Sequence, residues 1–239
     1  MDVFRRLLFV AAFAGLTTGI FITAVHQMTT VPIILEAETF EQGSEAPAPA
    51  VHAHGDTTAA HDHDAAAWGP QDGFERTAYT LLADVLTGIG FSLLLVAASA
   101  VKGDGLDWRR GLYWGLAGFA AVTLAPGLGL PPEVPGTEAA PLVERQIWWL
   151  ATVVLTAGGL AAIFFGRRPF LTLAGITLIV LPHAYGAPQP AEHASLAPEE
   201  LAHRFMVAAT LTSLLFWLAL GALTGAFYKR IFKDSTAPA

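Results

Sequence analysis

Residues 7–25 read LLFVAAFAGLTTGIFITAV, nineteen positions without a charge, directly after Arg5 and Arg6. About 20 apolar residues cross a hydrocarbon core as a helix. No other single-chain segment satisfies its own backbone polar groups in lipid. A cleaved signal peptide is the competing reading, but its apolar region runs about 7 to 15 residues and ends in a small-residue cleavage site. No such site is present, so the stretch reads as a first membrane span.

Working outward, further apolar blocks lie at 77–101, 111–130, 147–165, 169–185 and 205–228. The chain is 54% hydrophobic and only 14% charged, against about 25% charged in a soluble domain. The charge is concentrated between the blocks. This predicts an all-α polytopic membrane protein: one transmembrane domain over 1–233 and a short tail at 234–239. Block 169–185 is short and carries Pro182, which leaves five spans as the alternative to six. Basic residues favour six. With both termini cytoplasmic, Arg5, Arg6, Lys102, Arg109, Arg110, Arg167, Arg168, Lys229, Arg230 and Lys233 all fall inside, as the positive-inside rule asks. Five spans would put the last three outside.

The same topology gathers fifteen of the twenty acids on the outer side, where an acidic mouth concentrates cations. A net charge of −7 and the lack of a basic stripe argue against nucleic acid. There are no cysteines, so any metal site must use nitrogen and oxygen.

The outer loop 41–75 carries two His-x-His pairs, His52/His54 and His61/His63, interleaved with Asp56, Asp62 and Asp64. Imidazole and carboxylate bind first-row divalent cations. Residues i and i+2 of an extended chain point the same way, so each pair offers two imidazoles to one ion. A tract this rich in Ala, Pro and Gly buries no core and is expected to be flexible. The plain alternative is a solvated loop with incidental histidines.

Ionisable groups inside a span are functional candidates by default. His26 ends the first span, Asp84 lies about 11 Å into the second, and His183 follows Pro182 in the fifth. These depths predict one outer vestibule, with Glu36 and Glu38 at its rim. The competing readings are interfacial residues for His26, Glu36 and Glu38, a helix-helix hydrogen bond for Asp84, and capping of freed carbonyls for His183. Prolines near the outer ends of spans one, three and five, and Glu-Arg pairs before spans two, four and six, suggest three similar hairpins or simple decoration of helix ends. Glycines at three- and four-residue spacing, as in Gly111/Gly115/Gly118 and Gly221/Gly225, suit close helix packing. No ATPase loop, HExxH helix or nucleophile-and-base arrangement is present, so no enzymatic role is expected.

The segments VPIILEAETFE, WGPQDGFERTAYTLLADVLTGIGFSLLL, LAPGLGLPPEVPG, RQIWWLAT and LPHAYGAPQP resemble the CbtA family, the proposed membrane subunit of a cobalt transporter. The resemblance implies Co²⁺ as the transported ion, no catalytic cofactor, and service to cobalamin synthesis in a bacterial cytoplasmic (inner) membrane. It also implies a small single-span His-rich partner of the CbtB type, and usually five spans. Carried over as motif residues are Glu36, Glu38, Asp72, Arg76, Gln146 and His183. The residues themselves leave two functions open: a permease, or a metal-binding accessory or sensor that conducts nothing. Self-association to a homo-oligomer is compatible with either.

Overall fold

Pro32 lacks a backbone N–H and its ring meets the carbonyl four residues back, which breaks a helix just before it. The first helix, α1, therefore runs Asp2–Met28 and restarts after one residue as α2, Thr30–Ser44. The computed structural model describes residues 2–44, 69–103, 105–191 and 194–233. The four loop histidines with Asp56, Asp62 and Asp64 lie outside the described residues. Helix α3, Phe74–Lys102, begins after Gly73 at φ 91° and ends at Gly103 at φ 75°, a left-handed stop that glycine adopts without strain.

Helix α4, Trp108–Gly118, is started by Asp107, whose carboxylate accepts from the N–H groups of Arg109 and Arg110 at 2.9 and 3.0 Å. That cap satisfies two otherwise orphaned donors. The Arg110 N–H foremost, then that of Arg109, holds the Asp107 carboxyl below its usual range. The helix then widens into a π-helical segment, Phe119–Leu124, and closes with α5, Ala125–Gly127. Pro126 explains the widening, since it has no N–H for the α-helical ladder and the extra residue per turn keeps its ring clear.

Helix α6 spans Leu142–Phe165, α7 spans Pro169–Tyr185, and α8 spans Glu199–Lys233. Among the described residues, four stretches are long and apolar enough to cross a membrane: Val3–Met28, Phe74–Val101, Leu142–Phe165 and Glu199–Phe232. The other two expected spans are helical as well, α7 being shorter and the third divided by its π turn. No strand occurs among the described residues, only one isolated bridge, Thr137 to Ser195. Several helices outrun the apolar blocks of the sequence reading. Helical structure continues to Ser44, beyond the expected loop start at 41, α6 begins five residues before the 147–165 block, and α8 extends past both ends of the 205–228 block.

Pairing is set by glycine. Lipid gives no hydrophobic drive between helices, so close backbone approach does the work. A Cβ on Gly19 would lie 2.6 Å from the Val85 backbone, one on Gly88 2.8 Å from the Gly15 carbonyl, and one on Gly159 2.6 Å from the Gly175 carbonyl. In α4 and α8, Gly111 and Gly115 meet Gly221 and the Trp217 carbonyl in the same manner. The tight pairs are thus α1 with α3, α4 with α8 and α6 with α7, with α1 also against α8. Of the three hairpins suggested by the sequence, only the first is such a pair. The third span instead packs on the sixth, and the fourth on the fifth.

At the end where α1 stops and α3, α6 and α8 start, an ordered cap covers the bundle. Ile33 and Ala37 of α2 pack with Val134, Ala197 and Leu201. The two long connections are stitched by Glu138 N–H to Ala194 O at 2.9 Å and Leu196 N–H to Gly136 O at 3.2 Å. This acidic end carries the candidate site.

Candidate functional site

Thr23, His26 and Thr30 recur at i, i+3 and i+7, which places them along one face of the α1 to α2 run. That face meets Asp84 of α3. The Thr23 hydroxyl donates to Asp84 Oδ2 at 2.7 Å and also lies 2.8 Å from the Gly19 carbonyl. His26 Nε2 stands 3.9 Å from Asp84 Oδ1, while its Nδ1 is held at 2.7 Å from Thr30 Oγ1. An imidazole fixed through one nitrogen presents the other in a set direction, the arrangement by which metal-binding histidines are oriented. The His26 and Asp84 side chains are 29% and 18% exposed, so the pair is reachable from one side and sheltered on the other. The alternative of a helix-helix hydrogen bond is thus realised too, since Thr23 and Asp84 join α1 to α3.

One layer further out, Arg76 Nη1 and Nη2 donate to the two carboxylate oxygens of Glu38 at 2.8 and 3.2 Å, a bidentate pair. Arg76 Nη2 also lies 2.8 Å from Asp72. Three residues singled out by resemblance thus meet in one cluster. Glu38 precedes the histidine tract in the chain and Arg76 follows it, so the cluster clasps α2 to α3, the helices on either side of that tract. Arg76 and Asp84 are two helical turns apart on α3, so the clasp stands above the His26–Asp84 pair. Glu36 is 3.8 Å from Arg204 of α8, with both side chains more than half exposed, a pairing of little energetic weight.

His183 is elsewhere. It belongs to α7, packed on α6, where its ring meets Trp148 edge-on at 5.8 Å and its buried Nε2 has no hydrogen-bond partner among the described residues. Trp148 in turn donates to the Pro182 carbonyl at 3.2 Å. The expected vestibule therefore unites His26 and Asp84, with Glu38 in the layer above, and leaves His183 on another helix pair. Gln146 lines a separate groove of about 1250 Å³ between the π segment, the 128–137 connection and the starts of α6 and α8. Arg145 and Glu133 face each other there at 3.5 Å. Among the described residues no three His, Asp or Glu side chains form a group able to hold a metal ion. His26 and Asp84 supply two donors, and any further ones must come from elsewhere.

Sequence reading missed Thr23, Thr30 and Arg204. The first two were visible as the i, i+3, i+7 spacing around His26. Nothing in the sequence links Arg204 to Glu36.

Deeper in the same seam a row of hydroxyls is buried: Thr18, Ser92 and Thr224 each show no exposed surface. Ser92 and Thr224 share a 2.8 Å hydrogen bond between α3 and α8. Thr18 Oγ1 has no partner among the described residues. The contacts Phe13 to Phe227 and Thr29 to Thr212 fix the antiparallel register of α1 and α8, which sets Thr18 opposite the stretch from Leu220 to Thr224.

Residues 4–229 match the family model described as probable cobalt transporter subunit (CbtA). No curated protein matches the chain, and no solved structure does. With nearly the whole length covered, the chain belongs to the CbtA family of probable cobalt transporter subunits.

Proposed function

We propose that this protein is the membrane-embedded part of a Co²⁺ uptake system serving cobalamin synthesis in a bacterial inner membrane, with six spans and both termini cytoplasmic. The carrying observation is the His26–Asp84 pair, an imidazole and a carboxyl group set inside a bundle where unpaired ionisable groups are costly. The ion is collected by His52, His54, His61 and His63 with Asp62 and Asp64, handed to Glu36 at the rim beside the Glu38–Arg76 pair, and taken up at His26 and Asp84. The Glu38–Arg76 clasp supports this order, because it joins α2 and α3, the helices on either side of the tract, one layer above the His26–Asp84 pair. Beyond Asp84 the route follows the buried hydroxyls Thr18, Ser92 and Thr224. A membrane potential, inside negative, supplies about 2.3 kcal/mol per elementary charge per 100 mV, so a divalent ion needs no nucleotide hydrolysis. A CbtB-like, single-span His-rich partner completes the system.

In cells lacking other importers, Asp84→Ala is expected to abolish cobalt accumulation; full uptake by that variant removes Asp84 from the route. A second reading, a metal-binding accessory that conducts nothing, is favoured by the tight glycine contacts that close the seam below Asp84. Vesicles containing this chain alone separate the two. Cobalt reaching the lumen supports the permease, and binding without entry supports the accessory.

A further inference from the structure

On the opposite, basic end of the bundle, α3 and α6 are held apart by α4, and the gap between them is an apolar cleft of about 640 Å³. We infer that this cleft is a binding site for one acyl chain of an anionic phospholipid, with the phosphate held by Arg110, Arg167 and Arg168.

Three observations carry the assignment. The first is length. On α6 the cleft runs from Val153 to Phe165, about 18 Å at helical rise, close to the roughly 15 Å of one leaflet's hydrocarbon. A helix crossing the whole membrane needs about 30 Å, nearly twice the length over which the cleft runs. The second is lining. Leu94, Ala98, Ala157, Ala161 and Phe164 form apolar walls, and the Trp114 and Phe165 rings, 6.0 Å apart, close one side.

The third is charge at the mouth. Arg110 lines the basic end and spends one N–H on the Gly105 carbonyl at 2.9 Å. Asp107 stands beside it and offsets part of its charge. Arg167 and Arg168 come two and three residues after the cleft-lining Phe165 and make no ion pair among the described residues. Basic residues between spans at the headgroup level are the usual recognition element for anionic lipid. The cleft is lined by Phe91, Leu94, Leu95 and Ala98 of α3 and by none of Thr23, His26, Asp84, Ser92 or Thr224 of the metal seam, so the inference stands or falls independently of the transport reading.

The test uses the full chain in detergent with equimolar phosphatidylglycerol and phosphatidylcholine, reading retained lipid by native mass spectrometry. Phosphatidylglycerol should be retained about fivefold over phosphatidylcholine, the worth of roughly 1 kcal/mol at a basic headgroup site. Combined Arg110→Gln, Arg167→Gln and Arg168→Gln should bring that ratio near unity. Ala157→Phe, at an exposed position on the cleft wall, should reduce retention of both lipids without disturbing the fold. Equal retention of the two lipids by the unaltered protein, or ratios unmoved by the arginine changes, overturns the proposal. So does a dimer that Ala157→Phe dissolves, which would give the cleft to a second copy.

Discussion

Two histidines sit near the acidic ends of their helices, and their surroundings are opposite. His26 has a hydroxyl on one nitrogen, a carboxylate 3.9 Å from the other, and a partly open approach. His183 has an indole against its ring and a buried nitrogen without a hydrogen-bond partner among the described residues. The contrast extends to their helix pairs. Between α1, α3 and α8 run Thr23, Asp84, Ser92 and Thr224, joined across helices. Between α6 and α7 the cross-helix polar link is Trp148 to the Pro182 carbonyl, and Thr152 turns back to its own helix. A buried polar group without a partner loses its hydration uncompensated. The α1–α3–α8 seam pairs polar groups across helices, Thr23 with Asp84 and Ser92 with Thr224, whereas on α6 the buried Thr152 hydroxyl is satisfied within its own helix.

The sharpest way to break this contrast is to remove each imidazole in turn. His26→Ala should cut cobalt uptake by roughly tenfold or more, the usual scale for losing an oriented ligand or its support, while His183→Phe should stay within about twofold. Equal losses would erase the distinction. Thr23→Val probes the same pair more gently. It removes one hydrogen bond to Asp84, about 1 kcal/mol, and is expected to raise the half-saturating cobalt concentration about fivefold with little change in maximal rate.

Deleting residues 46–67 is expected to weaken uptake at low cobalt and leave the saturated rate nearly intact, as a capture role requires. Glu38→Gln, which opens the clasp at the ends of that tract, should reproduce part of this effect. Equal loss at saturating metal would contradict capture. The smallest effect on transport belongs to the other pair. Gly159→Leu forces a side chain against the Gly175 carbonyl, and overpacking of this kind costs about 1–3 kcal/mol. It should lower the melting temperature in detergent, and a larger loss of uptake than of stability would bring α6 and α7 into the transport path.

Much of the candidate site was legible before the coordinates. Asp84 stood out as a carboxylate deep in an apolar block, and His26 as the polar end of the first span. Their meeting was not legible, because Thr23 and Asp84 are 61 positions apart and only the Gly19–Val85 approach brings them face to face. His183 went the other way. Its depth matched that of His26, but depth along a helix says nothing about which helix lies beside it. The Glu38–Arg76 clasp was noticed only as two motif residues, since nothing local to either names its partner.

By itself the sequence determined the helices and where they break. The apolar blocks, Pro32, Gly103 and the Asp107 cap are instructions read within a few residues, because in lipid each backbone bond is closed inside its own segment. The tertiary structure alone decided that α4 lies on α8 and α6 on α7. It also decided which hydroxyls face which carboxylate. Those choices rest on glycine surfaces fitting one another across the bundle, and such fit depends on pairs of residues far apart in the chain.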